Sequence, residues 1–187
     1  MRCPYCEAPV DASASTCGSC HLTFPKTCAL FGALPRVQRE VHDSVGVLTA
    51  KQIKDMQRQI MRIRGKYPQL YVQVLFYSSS KAHPMRTQVF WLFNAAAFSG
   101  DTHRGIGNHT FLVAIDPSAG EAALMPGYGL EPLLDEDLLG EMLDCAGDFW
   151  EDGDWVGGVS SILNMLDECL WPQTEALKGP LVIPGEY

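Results

Sequence analysis

The chain has 187 residues, of which 47% are hydrophobic and 19% are charged. Because domains commonly contain about 100 to 200 residues, this length excludes three full domains and fits one sizeable domain with a small appendage. The apolar content excludes a wholly disordered protein. The net charge of −8 is divided unevenly, since residues 1–66 carry 10 Lys/Arg and 5 Asp/Glu whereas residues 67–187 carry 4 and 17. An acidic body disfavours general nucleic-acid binding, which depends on clustered cations.

The apolar segments predict neither a membrane span nor a secretion signal. The densest apolar run, residues 89–98, is interrupted by Asn94 and stays well short of the roughly 18 residues that a span needs. The first eleven residues contain two cysteines in place of the apolar core of a signal peptide. We therefore predict a cytoplasmic protein whose thiols are reduced.

Four cysteines at the start of the chain form two Cys-x-x-Cys pairs, CPYC and CGSC. Each pair places two sulfurs on one tight turn, and two such turns supply the four thiolates of a structural Zn²⁺ site. The pattern predicts a zinc ribbon over residues 1–27 with Cys3, Cys6, Cys17 and Cys20 as ligands. Iron and disulfides are the alternatives, and a reducing cytosol disfavours the disulfides. Four protein ligands leave no open position for substrate, so the predicted metal is structural.

Two proline-containing segments flank the body of the chain. Residues 28–40 are predicted to be a linker whose apolar residues tether the ribbon to the body. Residues 172–187 contain three prolines and two glycines, which predicts an extended C-terminal tail. The remaining cysteines lack ligand partners nearby and are predicted to be buried or idle thiols, namely Cys28, Cys145 and Cys169.

The body, residues 41–171, alternates helical and strand patterns. Thr49 precedes apolar residues spaced three and four apart, the pattern of a capped amphipathic helix. The predicted elements, in chain order, are a helix over 50–67, a strand over 70–78, a helix over 86–98, strands at 111–115 and 122–125, and helices over 134–150 and 155–170. This order predicts an α/β sandwich.

Three phrases in the body are specific in combination: VHDSVGVLTAKQ, NHTFLVAIDPSAGEAALMPGYGLEPLLDEDL and EDGDWVGGV. Through them the chain resembles the TPM domain family over residues 41–171. The resemblance implies an α/β/α sandwich fold and a divalent-cation site. It also implies acid-phosphatase activity, as in some members, or a role beside membrane complexes, as in others.

Matching to the family gives a candidate second cation site for Ca²⁺ or Mg²⁺, formed by Asp43, Asn108, Asp116 and Glu131. The family often has an Asp-Asn pair before the central strand, and here Gly107 precedes Asn108, so one carboxylate is lost. All four candidates follow strands or turns, where α/β sheets place ligands. Each also has a structural interpretation, because Asp and Asn form turns and Glu stabilises helix N-termini.

An acidic segment follows the hairpin. Residues 131–154 contain ten Asp/Glu and no Lys or Arg. Within it Asp137, Glu141, Asp144 and Asp148 are spaced four, three and four apart, so they share one helical face and repel each other. One hypothesis is that the stripe binds a cation or a basic protein partner. The alternative is that it is a solvated helix face whose charges are screened by salt.

Two other polar groups have weaker functional interpretations. A loop offers a general base and an anion-binding arginine but no positioned nucleophile, and its residues are Asp101, His103, Arg104 and His109. A cationic stretch supports a third hypothesis, nucleic-acid binding, through Lys51, Lys54, Arg58, Arg62 and Arg64.

The leading hypothesis is a non-catalytic adaptor. The zinc ribbon and the acidic surface would contact an unidentified protein partner, basic where it meets the stripe, in the assembly or maintenance of a larger complex. We favour a binding function over catalysis because the body contains no complete set of catalytic residues. The alternative is a divalent-cation-dependent phosphatase, which requires Asp43, Asp116 and Glu131 to converge within metal-bond reach of one point.

Overall fold

The structure is a computed structural model that describes residues 3–11, 14–31, 40–95 and 109–178. In chain order its elements are α1 Phe24–Phe31, β1 Val41–Asp43, α2 Ala50–Lys66, β2 Tyr71–Phe76, α3 Met85–Ala95, β3 Thr110–Asp116, β4 Glu121–Pro126, α4 Glu136–Glu151 and α5 Trp155–Lys178. Every element predicted in the body has a counterpart, with ends that differ by a few residues. At α2 the predicted cap is confirmed, because Thr49 and Gln52 form a reciprocal capping box.

The strands form one sheet in the order β1-β2-β3-β4. The first three strands are parallel, and β4 pairs antiparallel with β3 through a hairpin. β3 is buried along its whole length and β2 nearly so, as expected for strands covered by helices on both faces.

Two apolar cores lie on the two faces of this sheet. The larger one joins alternate β2 side chains, Val72, Val74 and Phe76, to α2, α4 and α5. The smaller one joins Leu75 and residues of β3 to α3, with α1 packed against it. The layers are therefore helix, sheet and helix, and the predicted α/β sandwich is confirmed.

The two crossovers of the parallel strands run over opposite faces. Strands follow one another in sequence order, yet α2 lies on the larger core and α3 on the smaller one. The crossovers therefore have opposite hands, and one departs from the right-handed preference. After β1 the chain continues to the face with the larger core, and after β2 it continues to the face with the smaller core. Ligands of α/β sheets bind in the crevice that forms between two such strands at their carboxyl ends. Residues 96–108 of the second crossover lie outside the described residues.

The predicted division at residue 27 falls inside a helix. α1 spans Phe24–Phe31, and its Thr27 is fully buried. Pro25 stands in the first turn, where a proline costs no intrahelical hydrogen bond. Cys28 and Phe31 pack against the smaller core, so the predicted tethering of the ribbon by apolar residues is confirmed for these two. Residues 32–39 of the predicted linker lie outside the described residues.

The predicted extended tail is wrong for residues 172–178, because α5 continues to Lys178 with Pro172 inside it. A proline in a helix removes the one hydrogen bond that its N–H would donate to the carbonyl four residues earlier. The preceding turn is fixed by burial of Leu166 and Leu170 in the larger core, and the helix continues past the missing bond. Residues 179–187 lie outside the described residues.

The phrase EDGDWVGGV forms the tight connection between α4 and α5. Gly153 adopts a φ of 75°, a conformation that disfavours residues with a Cβ. Asp154 accepts a hydrogen bond from Gly157 N–H at 2.9 Å and so stabilises the start of α5. Trp150 lies directly over Gly158, where an added Cβ would stand 2.1 Å from the indole Nε1. This part of the resemblance therefore reflects packing and capping.

We expect Gly158→Ala to lower the free energy of unfolding by about 2 kcal/mol, because overpacking forces the Trp150 ring out of its site. Urea unfolding followed by circular dichroism measures the change. Gly147→Ala in α4 is the matched control, since a Cβ there meets nothing within 4 Å, and it should be neutral or slightly stabilising. Equal midpoints for the two variants would contradict the packing role of Gly158.

Candidate metal centre and the carboxyl edge of the sheet

Four cysteine sulfurs converge at the start of the chain. One sulfur each from Cys3, Cys6, Cys17 and Cys20 lies within 4.8 Å of the others. The Cys3 and Cys20 sulfurs are 3.6 Å apart and the Cys6 and Cys17 sulfurs are 3.7 Å apart, too far for a disulfide of about 2.05 Å. A tetrahedral ion with metal–sulfur bonds of about 2.3 Å has sulfur–sulfur edges of about 3.8 Å. The set therefore fits a tetrahedral ion such as Zn²⁺.

The two Cys-x-x-Cys pairs have the same local fold. In each, the first cysteine donates its N–H to the carbonyl five residues later and accepts the N–H four residues later, through Cys3 with Ala8 and Glu7, and Cys17 with Leu22 and His21. The residue after each second cysteine, Glu7 or His21, adopts a positive φ near 60°. His21 is thus a turn residue in the same position as Glu7, which explains its place beside Cys20 without a ligand role.

Backbone groups prepare one sulfur for metal binding. Hydrogen bonds from the N–H groups of Cys20 and Ser19 lower the pKa of the Cys17 thiol, which favours its thiolate form. The thiolate is the form that binds a metal. The turn that positions Cys17 therefore also supplies the charge that a cation needs.

The turns that carry the four cysteines are attached to the first turn of α3. The Thr87 hydroxyl is fully buried and donates to the Pro4 carbonyl at 2.6 Å, and Arg86 forms an ion pair with Glu7. Phe31 of α1 contacts the Trp91 ring with centroids 5.4 Å apart. The sequence carried no signal for this docking, because each contact joins residues that are distant in the chain.

Asp43 ends β1 and organises the turn that leads to α2. Its carboxylate accepts hydrogen bonds from the N–H groups of Val45, Gly46 and Leu48 at 2.7 to 3.1 Å. Both oxygens are engaged by the backbone, which is the turn-forming role that Asp commonly has.

Asp116 ends β3 and is 1% exposed. Its carboxylate accepts from Ser79 N–H at 2.6 Å, from Ser118 through both N–H and hydroxyl, and from Ala119 N–H. Burial alone raises its pKa, but the hydrogen bonds from Ser118 and Ser79 outweigh burial and hold the pKa well below the usual range. Asp116 thus joins the loop after β2 to the β3–β4 turn.

Glu131 lies toward the opposite end of the sheet. β4 ends at Pro126, which pairs with Phe111 near the start of β3, whereas Asp116 pairs with Glu121 at the other end. Five residues of strand separate Phe111 from Asp116, a distance of about 16 Å. The structure therefore does not bring Asp43, Asp116 and Glu131 together, because the antiparallel hairpin carries the chain back before Glu131.

Asn108, the fourth candidate, lies outside the described residues, as do Asp101, His103 and Arg104 of the polar loop. His109 stands at the start of β3. Within residues 3–11, 14–31, 40–95 and 109–178, the cysteine set is the one group of three or more His, Cys, Asp or Glu side chains close enough to hold a metal.

An open cavity of about 540 Å³ lies at the carboxyl edge, between the loop after β2 and the β3–β4 turn. Its polar lining includes Ser80, Lys81, His83 and Ser118. The Ser118 hydroxyl donates to Asp116, and Ser80 Oγ accepts from Ala82 N–H, whereas His83 Nδ1 has no hydrogen-bond partner. A nucleophile activated by a base requires a hydrogen bond between the two, and the described cavity residues do not form one.

The three remaining cysteines are unpaired thiols. Cys28 and Cys169 are half-buried against the smaller and the larger core, and Cys145 is exposed on α4. Burial is therefore partial for Cys28 and Cys169 and absent for Cys145, and the prediction that these thiols have no role stays a prediction.

Comparisons with known proteins support the fold. No protein-family model matches the chain, and no curated protein matches it. The solution NMR structure of the N-terminal domain of a protein from P. gingivalis aligns with a TM-score of 0.55 and 17% identity, covering 77% of this chain and 96% of that one. That of the N-terminal domain of the cg2496 protein from Corynebacterium glutamicum aligns with a TM-score of 0.52 and 17% identity, covering 73% and 82%. These likenesses show a shared α/β fold. Of the helices described, none is long and apolar enough to cross a membrane.

Proposed function

We propose that the protein is a non-catalytic interaction protein that presents a metal-stabilised surface to a protein partner. We define the zinc lobe as residues 3–31, the two cysteine turns with α1. The observation that carries the proposal is that Tyr5, Phe24 and Leu30 are 42%, 38% and 45% exposed on a lobe that is itself attached to α3. Large apolar side chains held on a rigid support are typical of interface anchors.

Zn²⁺ is the proposed metal. Four sulfur ligands in tetrahedral spacing suit Zn²⁺. Because all four coordination positions are taken by the protein, the ion would have a structural role. Binding of a metal by four thiolates requires that these cysteines stay reduced, and the cytoplasm, a reducing compartment, is the location that we propose.

Rigidity makes the lobe surface suited to binding. The Thr87–Pro4 hydrogen bond and the packing of Phe31 on the smaller core hold the lobe on the body. Less conformational entropy is therefore lost when a partner binds to it. Glu7 is already paired, and Lys26 Nζ donates to the His21 carbonyl at 2.7 Å. The contact that we propose therefore relies on the exposed apolar side chains Tyr5, Phe24 and Leu30.

The TPM-like fold supports a role in the assembly or maintenance of a larger complex, and this role is part of the proposal. The phosphatase alternative needs carboxylates that converge on one cation. Asp43 and Asp116 are instead occupied by backbone N–H groups, and Glu131 lies toward the other end of the sheet. No observation in the described residues favours a Ca²⁺ or Mg²⁺ site or catalysis over binding.

We expect the double variant Tyr5→Ala/Leu30→Ala to bind its partner at least tenfold more weakly, because anchor residues each contribute about 2 kcal/mol or more. The partner is identified by crosslinking and mass spectrometry with the full chain, then purified, and its affinity is measured by calorimetry. Tyr128→Ala is the matched control, since Tyr128 is 57% exposed but lies after β4, away from the lobe.

Both variants should retain about one metal ion per chain, because none of the three replaced residues is a ligand. Equal affinities for the double variant and the wild type would contradict the role of the lobe. Turnover of a phosphomonoester by the purified protein with added Ca²⁺ or Mg²⁺ would contradict the non-catalytic assignment.

A further inference from the structure

The helical layer over the larger core carries opposite charges on its two sides. We define the basic stripe as Lys51, Lys54, Arg58 and Arg62 of α2, and the acidic stripe as Asp137, Glu141, Asp144 and Asp148 of α4. All eight side chains are exposed. α5 lies between the two helices and packs against both, so the stripes flank a central helix on one face of the molecule.

The three helices have fixed relative directions. α2 begins at the carboxyl edge of the sheet after β1 and ends where Tyr67 reaches Asp167 of α5. α5 begins with Trp155 against Phe76, at the carboxyl end of β2. α2 and α5 therefore run in the same direction, and α4 runs in the opposite direction because a tight turn joins it to α5. The N-terminal end of α2 and the C-terminal end of α4 share the carboxyl edge.

The stripes also match in length. Each spans eleven residue steps, from 51 to 62 and from 137 to 148, or about 16 Å of helix. Read from the carboxyl edge, the basic charges follow at steps of three, four and four, and the acidic charges at steps of four, three and four. Antiparallel pairing therefore aligns all four charge pairs to within one residue: Lys51 with Asp148, Lys54 with Asp144, Arg58 with Glu141, and Arg62 with Asp137.

We propose that this helical layer binds the same layer of a second copy of the chain around a two-fold axis parallel to α5. Such an axis exchanges the two sides of the layer and keeps the helix direction. α2 of each copy then lies antiparallel to α4 of the other, with opposite charges facing. A two-fold axis across the helices would place like charges opposite each other, which is unfavourable.

The two stripe helices also carry exposed apolar side chains. Met61 of α2 is 67% exposed and Phe149 of α4 is 43% exposed. An interface needs apolar contact as well as charge complementarity, and each helix has one such side chain outside the core. Within the chain, Arg58 pairs with Asp55 of its own helix at 3.2 Å, an exposed pair that is worth little and does not compete strongly with an interface.

The metal site does not enter this interface. The zinc lobe packs on α3, over the smaller core, which is the opposite face of the sheet. The self-association therefore goes beyond the proposed function and does not depend on it.

Sedimentation velocity of the full chain at about 50 mM salt tests the proposal, because exposed charge pairs are strongest at low ionic strength. We expect a dimer whose dissociation constant rises at least tenfold at about 500 mM salt. Arg58→Glu and Glu141→Arg should each weaken the dimer at least tenfold, since each change acts at two symmetric contacts. The double variant Arg58→Glu/Glu141→Arg should restore the dimer, because it exchanges the two charges.

Lys81→Glu is the matched control, with the same change of charge at an exposed residue of the loop after β2, and it should dimerise as the wild type does. A monomer at low salt, a dimer unchanged by the single reversals, or a double variant that stays weak would each overturn the proposal. Binding of a short DNA duplex to α2 in a chain that stays monomeric at low salt would assign the basic stripe to nucleic acid and would also overturn it. Tyr5→Ala/Leu30→Ala should dimerise normally, which separates this proposal from that of partner binding.

Discussion

Replacing Cys17 with Ser is expected to remove the metal and to unfold the zinc lobe. The lobe is too small to bury a core of its own, and metal ligation supplies on the order of 10 kcal/mol of folding free energy in zinc-finger peptides. Loss of one of four ligands removes most of it. Elemental analysis should fall from about one ion per chain to near zero, with loss of the amide signals of residues 3–31 in NMR spectra.

The same substitution should lower the stability of the α/β domain by about 2 kcal/mol without unfolding it. Unfolding of the lobe withdraws Phe31 from the smaller core, and burial of a large apolar side chain is worth about 1.5–3 kcal/mol. Cys145→Ser is the control, because Cys145 is exposed on α4 and away from the cysteine set. Full metal content in the Cys17→Ser protein would contradict a four-cysteine site.

The cysteine cluster was predictable because its geometry is local. Cys3 and Cys20 are separated by only seventeen positions, and two tight turns bring the sulfurs together. The capped helix after Thr49 was equally predictable, since the capping box lies within four residues. Both features depend on contacts between near neighbours, which a sequence pattern records directly.

The docking of the zinc lobe could not be predicted in this way. Thr87 and Pro4 are 83 positions apart, and no periodicity in the sequence relates them. The helix α1 was missed because its eight residues are fewer than an isolated helix needs for stability. It exists through packing of Cys28 and Phe31 on the smaller core. The docking of the lobe and the formation of α1 both depend on tertiary contacts between residues that are distant in the chain.

The carboxylates show why residue type alone did not identify a site. Asp43 and Asp116 stand where parallel strands end, as cation ligands often do, but backbone N–H groups point at both of them. A carboxylate that accepts several such bonds has little capacity left for a cation. Glu131 was grouped with them by motif, and the hairpin register placed it toward the other end of the sheet.

Together the two proposals describe a bivalent molecule. The helical layer that we propose as the dimer interface and the zinc lobe lie on opposite faces of the sheet, so a dimer would carry two outward-facing lobes. Two identical contact surfaces on one rigid body raise apparent affinity for a partner that repeats, through high effective concentration. This arrangement suits assembly around a multimeric complex better than recognition of a single isolated protein.

Replacing Asp116 with Ala is expected to lower the free energy of unfolding by about 3 kcal/mol. The change leaves the N–H groups of Ser79, Ser118 and Ala119 without their acceptor. A donor left unsatisfied costs about 1–3 kcal/mol, and three donors at the lower limit give the expected total. Urea unfolding at neutral pH measures the loss. Glu121→Ala is the control, since Glu121 pairs with Asp116 across the hairpin but is exposed, and it should shift stability by less than about 0.5 kcal/mol.

The dependence on pH separates the Asp116 charge from its shape. Because the folded pKa of Asp116 is lowered, its contribution is fully present above the unfolded value of about 4 and is lost as pH falls toward the folded pKa. Asp116→Asn keeps the shape without the charge, so its deficit relative to the wild type should shrink below about pH 4. A deficit that stays constant from neutral pH to pH 3 would show that the carboxylate charge does not stabilise this turn. Asp116 accepts the hydrogen bonds that join the two turns at the carboxyl edge. Loss of function in Asp116→Ala would therefore be expected from unfolding of this edge, without any role of Asp116 as a ligand.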